Sequence, residues 1–195
     1  MRQILSASIA LAGALLVAAG ASAQAAEIRC PAPGTAYTYK GGDGTSAHVA
    51  SGQDGNVCLV RATADGKTET VGFYSGLLGS VDEAGDSYAR AVDLKSLWPL
   101  KVDNRTQQTV NAIGRDGKPY SSDVTLPVAT YEKITVPAGT FDVFRVEESK
   151  SGESEKRTHW WATSLGTSVK KSFPDWTDRT KLKVYELVDV TPAKP

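Results

Sequence analysis

Two histidines, two cysteines and a scatter of serines are what this chain offers to nucleophilic or metal chemistry. Nucleophilic catalysis needs a Ser or Cys beside a base, usually a His that a third group orients. His159 stands next to Trp160 and Trp161 in a stretch of strand character, where a packed imidazole is the ordinary role, and His48 is the only other histidine. Ser75, in Gly72-Phe73-Tyr74-Ser75-Gly76, misses the Gly-x-Ser-x-Gly elbow by one position and lacks its strand-turn-helix surroundings. Gly66-Lys67-Thr68 has the ending of a phosphate-binding loop, but Arg61 occupies the place of the first glycine. Metal ligation fares no better. The histidines are isolated, the one methionine is Met1, and the Asp-Gly turns do not space carboxylates as a calcium loop does. The expectation is therefore a protein with no catalytic residues, no metal and no cofactor.

Cys30 and Cys58 read differently. A redox pair calls for a Cys-x-x-Cys spacing, which is absent. In an oxidising compartment two thiols form one disulfide. Closing a loop of about 28 residues would contribute roughly 3–4 kcal/mol on chain-entropy grounds. The aromatic residues carry two readings. Neighbours on a strand point to opposite faces, so Trp160 and Trp161 cannot both lie in one core. Either they and Tyr37, Tyr39 and Trp98 are core and loop packing, or some of them face a concave apolar groove that takes a lipid-like or peptide ligand.

The compartment is set by the N-terminus. Met1-Arg2-Gln3 supplies a positive start, and residues 4–20 carry no charge. Small residues then fall at −3 and −1 for cleavage after Ala23 or after Ala25. Residues 1–25 are expected to be a cleavable signal and 26–195 a single β domain, placed in the periplasm or, alternatively, secreted, with no membrane span after cleavage. Lys and Arg together number 22, as do Asp and Glu, so losing Arg2 leaves one more acid than base. The basic residues are scattered, which argues against nucleic acid as a partner.

The elements that must position these residues are strands. Asp43-Gly44, Asp54-Gly55 and Asp65-Gly66 recur every eleven residues, the rhythm of short strands joined by tight turns. Strands are predicted over 35–40, 46–51, 56–64 and 67–74. Residues 80–100 are the one stretch with helical periodicity, stopped at Trp98-Pro99. Strands resume over 105–114 and 124–136, where Pro127 implies an edge or a bulge because it cannot donate to a ladder. A hairpin turns at Pro137-Ala138-Gly139-Thr140, 149–155 forms a solvated tip, and 156–163, 167–173 and 181–190 close the chain. The fold class expected is mainly β: a single antiparallel, strongly curved sheet, half-barrel or barrel-like, with at most one or two short helices.

The second half resembles a known group. Leu97-Trp98-Pro99-Leu100-Lys101-Val102, the run from Tyr131 to Asp142 containing Val136-Pro137-Ala138-Gly139-Thr140-Phe141, the Arg157-Thr158-His159-Trp160-Trp161 strand, Leu165-Gly166-x-x-Val169-Lys170 and Glu186-Leu187 come in the order seen in bacterial envelope proteins of the DUF3108-like and TapB-like type. The resemblance implies a periplasmic β architecture, an open, curved sheet like that of lipoprotein carriers, and no established reaction. It covers the C-terminal half only, and it breaks at Asp103-Asn104-Arg105-Thr106, where relatives show Gly-Asn followed by Trp. Export, absent catalytic groups and spare aromatics together make the expected function non-enzymatic: binding an apolar ligand or an envelope component in a concave sheet. The alternative is a structural or interaction subunit working through a sheet edge near Pro127 or through the Asp175-Trp176 loop, with an envelope protein as partner.

Overall fold

A computed structural model describes residues 24–42, 44–74, 77–80, 92–114, 116–154, 156–175, 177–178 and 180–194. Most of the expected signal segment, most of the expected helical stretch, and Trp176 lie outside the described residues. Among these residues every regular element is a strand, apart from one 3-10 turn at Lys95–Leu97. The strands are β1 (Ala25–Ala26), β2 (Ala36–Gly41), β3 (Gly44–Asp54), β4 (Val57–Ala64), β5 (Lys67–Tyr74), β6 (Leu78–Ser80), β7 (Leu100–Lys101), β8 (Arg105–Ile113), β9 (Pro119–Val136), β10 (Gly139–Lys150), β11 (Arg157–Ala162), β12 (Thr167–Pro174) and β13 (Leu182–Thr191).

Turn chemistry sets the meander. Two-residue loops join β3 to β4 and β4 to β5, with Asp54 opposite Val57 and Ala64 opposite Lys67. Asp65 and Gly66 both take positive φ, 51° and 73°, as the primed hairpin turn requires. The Pro137-Ala138 loop likewise sets Val136 opposite Gly139. Asp103, between β7 and β8, adopts φ 73°, a left-handed conformation that aspartate tolerates better than most residues, and makes the tight turn there.

The antiparallel pairs join into an eleven-stranded sheet in the order β6-β5-β4-β3-β2-β13-β12-β11-β10-β9-β8, beside a two-stranded sheet of β1 and β7. The single, strongly curved, barrel-like sheet expected from the sequence is corrected on both counts. There are two sheets, and the large one stays open rather than rolling closed. Closure needs end strands that match in length and stagger. Here one end is the three-residue β6, and residues 92–100 pack beside β8. Of the two roles expected for Pro127, edge or bulge, the structure selects the second: β9 lies between β8 and β10, with Pro127 opposite Arg105. Its neighbourhood is a register shift opposite Arg145 and Val146, so the proline marks a bulge and not an edge.

Two apolar clusters form the core. In the first, Leu94, Leu97 and Leu100 cover Val124, Leu126, Phe144, Val146 and Trp161 on β9–β11. In the second, Tyr37, Tyr39, Ala50 and Val60 from the N-terminal meander meet Val136, Val143, Ala162, Val169 and Leu187. Five strand steps separate β5 from β12, about 24 Å in a flat sheet. Yet the Lys171 ammonium on β12 lies 4.5 Å from the centroid of the Phe73 ring on β5. The twist accumulated over those strands brings the two side chains together while the sheet stays open.

Candidate functional site

Ladder register decides which side chains share a face. Phe144 pairs with Trp161, Val146 with His159 and Glu148 with Arg157 across β10 and β11. His159 pairs with Lys171 across β11 and β12, and Lys171 with Tyr185 across β12 and β13. One face of the sheet thus carries a row that changes from apolar to polar. Gly41 makes room at its far side, since a Cβ there would collide with the Tyr185 ring and the Val184 carbonyl.

Lys171 is the centre of this row. Its ammonium sits 4.9 Å from the Tyr39 ring and 4.5 Å from the Phe73 ring, with only 8% of the residue exposed. No carboxylate pairs with it among the described residues. The acid nearest in the row, Glu148, is engaged elsewhere: Arg157 Nη1 lies 2.7 Å and Lys150 Nζ 3.5 Å from its Oε1, and Arg157 Nη2 reaches Glu153 at 2.9 Å. Burial lowers the Lys171 amine to about 8.

Two imidazoles flank it. His48 packs between Tyr37 and Tyr39 at ring distances of 5.3 and 5.2 Å, and its Nε2 is 2.6 Å from Ser46 Oγ. His159 is buried beside Phe173 and 4.0 Å from Glu148 Oε2. Burial pushes both rings down to about 4, assisted by the Lys171 charge, and for His159 this outweighs the opposing pull of Glu148. Both are therefore neutral at pH 7. Neither ring nitrogen of His159 has a hydrogen-bond partner among the described residues, and neither do His48 Nδ1 and Ser168 Oγ. Unsatisfied buried polar atoms are rare in native folds and each calls for an explanation. Burial likewise raises the Tyr37 and Tyr39 phenols, and the Tyr39 hydroxyl donates to the Ser168 carbonyl.

Of the residues singled out in the sequence, Trp161 and Trp98 come together, ring to ring at 5.2 Å and 74°, within the first core cluster. Tyr37 and Tyr39 meet edge to face at 5.7 Å in the second. Trp160 points the opposite way from Trp161, half-buried, with Lys170 Nζ 5.5 Å from its ring. These five aromatics do not share one surface. The sequence reading missed Lys171, although the rule that split Trp160 from Trp161 applies equally to Lys170-Lys171: on a strand, one of two adjacent lysines faces inward.

Chemically, the row offers a desolvated cation, neutral imidazoles and a hydroxyl with unspent hydrogen-bonding capacity, all beside aromatic rings. Among the described residues no three His, Cys, Asp or Glu side chains gather as a metal set. The disulfide Cys30–Cys58 forms, with its Cα atoms 5.3 Å apart. It ties residues 25–35 across the sheet as a strap. Ala25 and Ala26 pair with Lys101 and Leu100, the Arg29-Cys30 backbone presses on Gly166, and Gly34 bonds to Ala50. On the surface of the β8–β9 hairpin, near its turn, an open hollow of about 440 Å³ is lined by Asn111, Ile113, Pro119 and Tyr120 among others.

The sequence matches no family profile and no curated protein. Among solved structures, the chain is similar to the hypothetical lipoprotein YmcC of Escherichia coli K12, with 11% identity, a TM-score of 0.49, and 84% of this chain and 86% of that one covered. It is also similar to a Parabacteroides distasonis protein, with 13% identity, a TM-score of 0.42, and 86% and 100% covered. A Bacteroides fragilis protein with a YmcC-like fold has 10% identity, a TM-score of 0.39, and 85% and 99% covered.

Proposed function

We propose that this chain is an exported, non-enzymatic β protein of a bacterial cell envelope, held in the periplasm, that binds an apolar ligand against one face of its large sheet. The observation that carries this is Lys171. A cation withdrawn from water without a carboxylate partner costs stability, and such groups concentrate at functional sites. Here it lies among the rings of Tyr39 and Phe73, beside buried polar atoms that lack partners. The uncharged N-terminal run with its small-residue cleavage pattern and the disulfide support the compartment.

The test uses the uncharged fluorescent probe N-phenyl-1-naphthylamine. Titrated into the purified protein, it should brighten and saturate near one equivalent. A response no greater than with the urea-unfolded chain would overturn the reading. A second reading, an interaction subunit acting through a sheet edge, is favoured by β8. It is the end strand of the large sheet, and its last residue, Ile113, is 47% exposed beside the open hollow. Light scattering coupled to size exclusion separates the two, since edge pairing between copies gives a concentration-dependent dimer and ligand binding does not.

A further inference from the structure

We propose that Lys171 is the counter-charge for the anionic head of an aliphatic amphiphile whose chain lies against the rings of Tyr37, Tyr39 and Phe73. This rests on the ligand-binding reading above and assigns the chemistry of the head group. Three features of the row point the same way.

The first is the cation itself. Lys171 is more than nine-tenths buried, its ammonium is held over two rings, and no acid on its own or adjoining strands pairs with it. The one buried carboxylate in the row, Glu148, already holds Arg157 and Lys150. An incoming anion would therefore meet a single unspent positive charge in a poorly hydrated setting, where Coulomb attraction is strongest.

The second is the donor set. A neutral imidazole always keeps one N–H. His159 is the direct cross-strand partner of Lys171, and neither of its nitrogens has a hydrogen-bond partner among the described residues. Ser168, on the same strand as Lys171, has an unpartnered hydroxyl. An oxyanion beside Lys171 can accept from its ammonium and from the imidazole N–H of its cross-strand partner, and charge-assisted bonds of this kind are the strong ones.

The third is the wall. Tyr37, Tyr39, His48 and Phe73 form a continuous run of rings at 5.2–6.1 Å. A small hydrated anion would lose its water against that surface without return. A head group on an aliphatic chain satisfies both parts of the site. Carboxylate and phosphate monoester heads share this chemistry.

The test is calorimetric titration of wild type and Lys171→Met, below micellar concentrations, with dodecanoate, dodecyl phosphate and the uncharged methyl dodecanoate. Dodecanoate or dodecyl phosphate should bind the wild type and lose about tenfold or more in affinity on Lys171→Met, the scale of one charge-assisted contact. The stronger of the two identifies the head. Methyl dodecanoate should bind both proteins within about twofold, and Lys171→Arg should recover part of the loss. Thermal melts of both variants establish that they are folded. Anionic probes that bind wild type and Lys171→Met alike would sink the head-group assignment while leaving the apolar site standing. If no probe binds, charged or uncharged, the ligand-binding reading fails with it.

Discussion

Lys171 stores a stability cost that pH can reveal. The amine titrates near 8 in the fold against 10.5 ordinarily. Between those values the unfolded chain holds the extra proton, so stability should climb as pH rises from 8 to 10.5. Lys171→Met keeps the stem and removes the charge. We expect it to raise stability at pH 7 by roughly 1–3 kcal/mol and to abolish that alkaline climb, both read from urea midpoints. His48 and His159 act at the acid end. Each is about 4 in the fold against 6.5 ordinarily. Below 6.5 the unfolded chain binds the protons, so stability should fall with pH between 6.5 and 4, by up to roughly 3 kcal/mol per ring. A His48→Phe/His159→Phe variant should lose the slope between pH 6.5 and 5, where carboxylates contribute little. An equal slope in wild type and variant would rule out burial of neutral imidazoles as its source.

Among the elements, the strap of residues 25–35 joins distant strands, and two positions test it. Gly166 has φ 71°, and a Cβ there would collide with the carbonyl of Arg29. Gly166→Ala should therefore destabilise by about 1–3 kcal/mol and speed proteolysis within residues 24–35; unchanged cleavage would show that the contact does not hold the strap. Removing Cys30–Cys58 in a Cys30→Ala/Cys58→Ala variant should cost about 3–4 kcal/mol in urea. The hairpins were legible in the sequence because Asp-Gly and Pro-Ala-Gly impose local backbone geometry. Pro127 was legible only as a disturbance. Whether a disturbance is an edge or a bulge depends on whether another strand lies alongside, and β8 is supplied by a segment fourteen or more residues away.

At the scale of the whole molecule, the N-terminus and the sheet make a joint prediction. Cleavage after Ala23 leaves both residues of β1 to pair with Leu100 and Lys101, whereas cleavage after Ala25 removes half of it. Periplasmic extract should accordingly yield an intact mass that begins at Gln24 and is two hydrogens light for the disulfide; recovery of the full-length chain from the cytoplasm would contradict export. The sequence by itself determined the β class, the turn positions, the pairing of the two cysteines and the opposed faces of Trp160 and Trp161. All of these follow from local dihedral preference, period-two alternation, or having a single partner available. Only the tertiary structure decided that the sheet stays open, that a second small sheet forms, and that Phe73 on β5 closes over Lys171 on β12. Those depend on how eleven strands accumulate twist and on what packs against their faces. No window of sequence contains that sum.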